Sequence, residues 1–287
     1  MRAIYKKEMR TYFTQMSGYV FLSFLVMFVA VWYILGNLMD LDSNFHLTLT
    51  NVIIFFFVLL PVITTRLFSE EIRQKTDQLI FTSPLTVPGI VVGKFLAALT
   101  LFLIATALTL VMPFMIRNHG NLPVSQIAGT YIGFVLLGAS CIAIGVFISC
   151  LSESQIIVAI GTMAAIFVMF LMDAIAMAMP TSAFSSFMFV AFIIAAFTAI
   201  WYNATKNKIA TGIMGAAAIA FALGLYFYNN LIYDGVIIRV LHWFSLFSRF
   251  HNFTRGILNL ADVVYYVSFS VLLVYLTINV IEKRRWR

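Results

Sequence analysis

The chain has 287 residues, 62% of them hydrophobic and 10% charged, with a formal net charge of +7, and its mean hydropathy is +1.00. A soluble core of this size has no use for so much apolar surface, so the composition specifies an integral membrane protein and excludes a soluble domain. The apolar runs have helical length and lack the ten-residue alternation of an outer-membrane barrel.

In chain order, residues 2–16 read as an interfacial amphipathic helix. Ile4, Tyr5, Met9, Tyr12, Phe13 and Met16 recur at helical spacing, and Lys6, Lys7 and Arg10 project elsewhere. A plain basic anchor beside the first span explains the charges equally well. The basic start resembles a signal peptide, but the run from Tyr19 to Leu38 is too long for one and no small-residue cleavage site follows. It reads as a retained span. Eight spans are predicted, near 19–39, 52–66, 90–116, 127–150, 155–178, 183–202, 209–228 and 263–281. The second is short, and Pro61 is expected to break or tilt it. The sixth and seventh should pair as a hairpin.

Placing the chain start in the cytoplasm puts fourteen of the 18 Lys and Arg residues inside, which leaves only Arg117, Arg239, Arg249 and Arg255 outside. The positive-inside rule therefore predicts both termini in the cytoplasm. It also accounts for the net charge without nucleic acid.

The most polar internal stretch, Ser69–Pro88, falls on the predicted inside. Five of its first nine residues are charged: Glu70, Glu71, Arg73, Lys75 and Asp77. Ser69 is a candidate N-cap, with two glutamates in the first turn where the helix dipole favours them. Pro84 and Pro88 are expected to end the helix. The expectation is a rigid cytoplasmic lever; the alternative is a solvated connector.

Further along, Gly129-x-x-x-Gly133 and Ala139-x-x-x-Ala143 make the fourth span a close-packing face. Glu153, in the turn after it, is a candidate second cytoplasmic contact. Asp173 near the outer end of the fifth span is an ionisable group at membrane depth, hence a candidate for the transport path, unless it simply reaches water. Residues 229–262 form a long external segment. Its Trp243, Phe244, Phe247, Phe250 and Phe253, interleaved with His242, Arg249, His251 and Arg255, suit an interfacial or re-entrant piece. It reads as a lid or partner-docking surface, with Trp243, Phe247, Arg249 and Arg255 as gate candidates, or as an aromatic belt. Cys141 and Cys150 lie on opposite faces of one helix and are read as packing residues. His242 and His251 lack metal spacing, and no metal site is expected. There is no P-loop, no Gly-x-Ser-x-Gly and no His-Glu-x-x-His. The chain is therefore not read as an enzyme.

Several segments together carry a family resemblance. They are Lys6-Lys7-Glu8-Met9-Arg10-Thr11-Tyr12-Phe13, Pro61-Val-Ile-Thr-Thr-Arg-Leu-Phe-Ser-Glu-Glu71, Leu79-Ile-Phe-Thr-Ser-Pro84, Gly93-Lys94, Ala143-Ile-Gly-Val-Phe-Ile-Ser149, Glu153-Ser-Gln155, Phe250-His-Asn-Phe-Thr-Arg-Gly256, Tyr265-Tyr266 and Glu282-Lys-Arg-Arg-Trp286. In this order they resemble the membrane subunit, or permease, of type-2 ABC exporters, closest to the gliding-motility and copper-site-maturation branch. Two positions depart from that pattern: Lys75 stands where the family usually has glycine, and Asp77 where it usually has Glu.

The resemblance implies an all-α polytopic permease domain over 1–287, with a six-helix exporter core plus an extra hairpin, in the bacterial plasma membrane. It implies a coupling helix within 69–88 that docks on a cytoplasmic P-loop ATPase, with Glu70, Glu71, Arg73, Thr76, Asp77, Leu79 and Pro84 as contacts. ATP and Mg would be bound by that partner; no cofactor is expected in this chain. A second permease protomer, identical or not, would complete the unit, and a gliding-type partner with an extracytoplasmic domain would dock at 229–262. Charge reversal at Glu70 and Glu71 should then uncouple export of an unknown substrate and leave the fold intact. The competing reading is a non-transporting scaffold that couples an ATPase to an external partner.

Overall fold

The computed structural model describes residues 1–39, 44–76, 86–117, 123–205, 208–228 and 233–285. The described residues are 88% helical and contain no strand. The helices are α1 (Arg2–Thr14), α2 (Ser17–Tyr33, continued by a π turn to Met39), α3 (Phe45–Val52), α4 (Phe56–Thr64), α5 (Arg66–Arg73), α6 (Val87–Thr109), α7 (Val111–Arg117), α8 (Val124–Ser149), α9 (Gln155–Ala178), α10 (Ala183–Thr205), α11 (Lys208–Tyr228), α12 (Val236–Phe244), α13 (Leu246–Thr254) and α14 (Leu260–Arg285).

Among the described residues six helices are long and apolar enough to cross a membrane: Ser17–Met39, Phe45–Arg73, Val87–Ile116, Val124–Ser149, Gln155–Ala178 and Leu260–Arg284. The two further spans expected at 183–202 and 209–228 correspond to α10 and α11, whose apolar stretches, Ala183–Ala199 and Thr211–Phe227, are shorter.

Two compact units divide the chain: Met1–Met169 with Leu246–Arg287, and Phe170–Ser245. In the first, α8 is the central helix. Its small residues let neighbours approach: a Cβ on Gly133 would lie 2.7 Å from Phe253 and 3.1 Å from Phe250, and those on Gly138 and Gly145 would meet Phe102 and Thr64. The packing face read from the glycine and alanine spacing is therefore present. Phe56, Phe102 and Phe134 fill the middle of the unit, with ring centroids 4.8–5.6 Å apart. Ser140 on α8 meets Ser270 on α14 at 3.2 Å, pairing two hydroxyls that hydrocarbon would leave unsatisfied.

The second expected span is longer than its hydropathy suggested. It begins at Phe45 and runs through a 3₁₀ turn at Ile53–Phe55 to Arg73. Pro61 lies inside α4 and does not end the helix. Leu60, Ile63, Thr64, Leu67 and Phe68 are all buried. They continue one helical stripe straight into the polar stretch, so the helix carries on through it.

In the second unit α10 and α11 form the expected antiparallel hairpin. Thr198 faces Gly215, and Phe187 lies 5.3 Å from Tyr226. The Tyr233 hydroxyl closes the far end with a 2.8 Å bond to the Ala222 carbonyl. Of the segment expected to be external, residues 233–262 contain α12 and α13, separated by the extended Ser245.

Candidate functional site

α1 lies against α6 and the end of the second span. It turns into α2 through Met16, which holds the left-handed conformation (φ 61°). Gly18 then packs under Tyr12, where a Cβ would stand 2.8 Å from the Tyr12 carbonyl oxygen. Ile4, Glu8 and Tyr12 form its buried row. Tyr12 donates to the Ile63 carbonyl at 2.8 Å, Tyr5 donates to Thr100 at 3.2 Å, and Gln15 accepts from Arg66 at 3.2 Å.

Where these elements meet, Lys94 of α6 is 1% exposed. Its ammonium lies 2.6 Å from Glu71 Oε2 and 3.4 Å from Glu8 Oε1. It also donates to the Leu67 carbonyl and sits 4.7 Å from the Phe68 ring centre. The other oxygen of Glu71 accepts from Lys7 at 2.8 Å. Two cations and two carboxylates from α1, α5 and α6 thus form a neutral set, the condition under which ions persist away from water. Lys7 is drawn in opposite directions. Burial lowers its pKa, but the hydrogen bond and charge of Glu71, with Glu8 and Glu70, outweigh that and raise it. Burial holds the Tyr12 phenol well above its ordinary value, with the Glu8 charge adding to the effect. A polar cleft of about 280 Å³ opens beside the set, lined by Thr11, Gln15, Arg66, Glu70 and Gln74 among others.

The polar stretch differs from its expected form. Ser69 does not cap a helix; it is buried in mid-helix and donates back to the Thr65 carbonyl. The helix ends at Arg73 instead, four residues into the charged run. There Thr76 N–H bonds the Glu71 carbonyl at 3.0 Å and Lys75 N–H the Ile72 carbonyl at 3.1 Å. That is a Schellman end, with Lys75 at φ 55° in the position glycine usually takes. Glu71 is turned inward onto Lys94. Reversing its charge would set three cations against the single carboxylate of Glu8, so the expectation that the Glu70 and Glu71 reversal spares the fold is corrected for Glu71. Glu70 is half-exposed and accepts weakly from Gln74 at 3.4 Å. Arg73 is exposed, and Thr76 donates to the Glu71 carbonyl at 3.3 Å. Asp77, Leu79 and Pro84 lie outside the described residues.

Glu153 is exposed in the turn between α8 and α9. In the second unit, Asp173 has a partner that the sequence reading left unassigned, His242 Nδ1 at 3.1 Å, and Trp243 is exposed beside Phe244. In the first unit, Phe247 is buried along with Phe250 and Phe253 on the inner side of α13. The aromatic repeat there fills the core and does not form a surface belt. Arg249 bonds Asp262 at 3.0 Å and lies 3.9 Å over the Tyr265 ring. Asn252 donates to the other Asp262 oxygen at 2.8 Å. Arg255 is exposed.

Lys94, Glu8 and Lys7 were absent from the predicted site, as were Asp262 and Asn252. The signal for Lys94 was there: a single cation among Ile90, Val91, Ala97, Ala98 and Leu101 needs a carboxylate at the same depth. Comparison with protein families, curated proteins and solved structures finds no match to this chain.

Proposed function

We propose that the chain is the membrane subunit of an ATP-driven exporter, and that the cytoplasmic end of its second span is the element a separate ATPase moves. The observation that carries this is the Lys94 clasp. It ties α5 to α1 and α6 through charge–charge contacts at 2.6, 2.8 and 3.4 Å, so force applied at residues 70–76 passes into three elements at once. The Schellman end leaves Glu70, Arg73, Gln74 and Lys75 at the accessible tip. The distribution of Lys and Arg supports a cytoplasmic placement of that tip and of both termini; the bacterial plasma membrane is proposed on the family resemblance alone. In this reading ATP and Mg are bound by the partner, in keeping with a sequence that contains no P-loop.

In this account a second permease protomer completes the path, the hairpin of α10 and α11 supplements a six-span core, and an extracytoplasmic partner meets the outer segment. ATP shifts the spans between inward- and outward-open arrangements only by its differential affinity for the two partner states. The test separates tip from clasp. Full-length protein purified from its native membrane should retain a P-loop ABC ATPase. Glu70→Lys with Arg73→Glu should lose it while keeping the thermal unfolding profile of the parent. Recovery of the same ATPase by that variant removes the tip from the interface.

A further inference from the structure

We infer that α1 is an anionic-lipid-binding helix, and that Arg2, Lys6 and Arg10 hold the phosphate-bearing headgroups of the leaflet on which it lies. The helix carries three parallel rows at i, i+4 and i+8 spacing. The first, Ile4, Glu8 and Tyr12, is buried against the protein. The second, Tyr5, Met9 and Phe13, is half-exposed and apolar. At its end Phe13 meets Tyr19 edge-on at 5.4 Å, and Met16 and Tyr19 are 72% and 54% exposed. The third row, Arg2, Lys6 and Arg10, is exposed. At 3.6 residues per turn it lies immediately beyond the apolar row and about 160° from the buried one.

Of the four basic residues of α1, Lys7 alone makes a salt bridge among the described residues. Three cations spread over about 12 Å, bordering a half-exposed apolar strip that continues into the first span, match a surface whose oil lies on one side and whose phosphates lie on the other. Long stems let the charged ends reach headgroups while the apolar row stays in the acyl boundary. An acidic protein face would satisfy the cations but not the adjoining Met9, Phe13, Met16 and Tyr19, and for that reason a lipid is the assigned occupant. The same helix presents Lys7 and Glu8 to the clasp, so the lipid-held element is the one that grips α5. The inference does not depend on the exporter reading.

Each cation near an anionic surface contributes about fivefold to binding. Full-length protein in nanodiscs of mixed phosphatidylcholine and phosphatidylglycerol can be released for native mass spectrometry, reading the ratio of the two lipids retained. The parent should retain phosphatidylglycerol preferentially, less so as salt rises. Arg2→Gln/Lys6→Gln/Arg10→Gln should lower that preference by about tenfold or more. Arg2→Lys/Lys6→Arg/Arg10→Lys should keep it, and Lys283→Gln/Arg284→Gln, which removes charge elsewhere, should lower it less than the glutamine variant of α1. An unchanged preference in the glutamine variant, an equal loss in the Lys283/Arg284 variant, or a preference indifferent to salt would each overturn the assignment.

Discussion

Glu71→Gln isolates the clasp. The substitution keeps the shape but removes the nearer of two carboxylates from an ammonium that is 1% exposed. Lys94 is left with Glu8 at 3.4 Å and the Leu67 carbonyl. Breaking a buried ion pair by removing one partner costs about 3–5 kcal/mol. Glu71 retains 14% side-chain exposure and Glu8 stays in place, so the loss should fall at the low end, about 3 kcal/mol. Lys94→Met should cost a comparable amount, because it strands Glu8 and leaves Glu71 with only the more exposed Lys7. The triple change Glu8→Gln/Glu71→Gln/Lys94→Met removes every charge at the centre and should recover most of the loss, since neutral replacement of a buried ion set is often harmless. Reversible unfolding in mixed micelles gives the three values, and their non-additivity measures the coupling directly. Single variants that each cost under about 1 kcal/mol, or effects that simply add, would refute the clasp.

Lys75→Gly should stabilise the helix end by roughly 0.5 kcal/mol, because glycine escapes the left-handed penalty while losing more chain entropy; slower hydrogen exchange at the amides of residues 75 and 76 checks it. Gly133→Leu should destabilise by about 3 kcal/mol or more, as its side chain would enter space held by Phe250 and Phe253; a thermal scan that leaves the transition unmoved disproves the contact. Lys7 and Tyr12 both have folded pKa values above their ordinary ones. Their contributions are complete below the unfolded values near 10 and are lost as pH rises through the folded ones. Protection of α1 from proteolysis should therefore weaken above about pH 10, and Lys7→Gln should flatten that slope.

Hydropathy placed the first span, the third to fifth and the last, because twenty apolar residues in a row have few other uses. It misplaced the second because its continuation is amphipathic. Thr64, Arg66, Ser69, Glu70 and Glu71 lower the local average, while Ile63, Leu67 and Phe68 keep the buried stripe going. Ser69 resembled a cap because serine before two glutamates is a common helix start, and only the upstream stripe reveals that the helix is already under way. The glycine spacing of α8 and the aromatic repeat at 247–253 were each legible, but their pairing was not: a one-dimensional pattern shows that a face is small or large, and not which face it meets. The clasp was hidden for a similar reason. Glu8, Glu71 and Lys94 are far apart in sequence, and a count of basic residues treats Lys94 as one more interior charge when it is a buried counter-ion.

The exporter account is tested most directly from position 73. A photo-reactive benzoylphenylalanine there sits on the exposed tip of the second span. Illumination in native membranes should yield an adduct containing peptides of a P-loop ABC ATPase, with a yield that changes when ATP is trapped. Adducts with lipid alone, from protein that otherwise remains folded and functional, would contradict it.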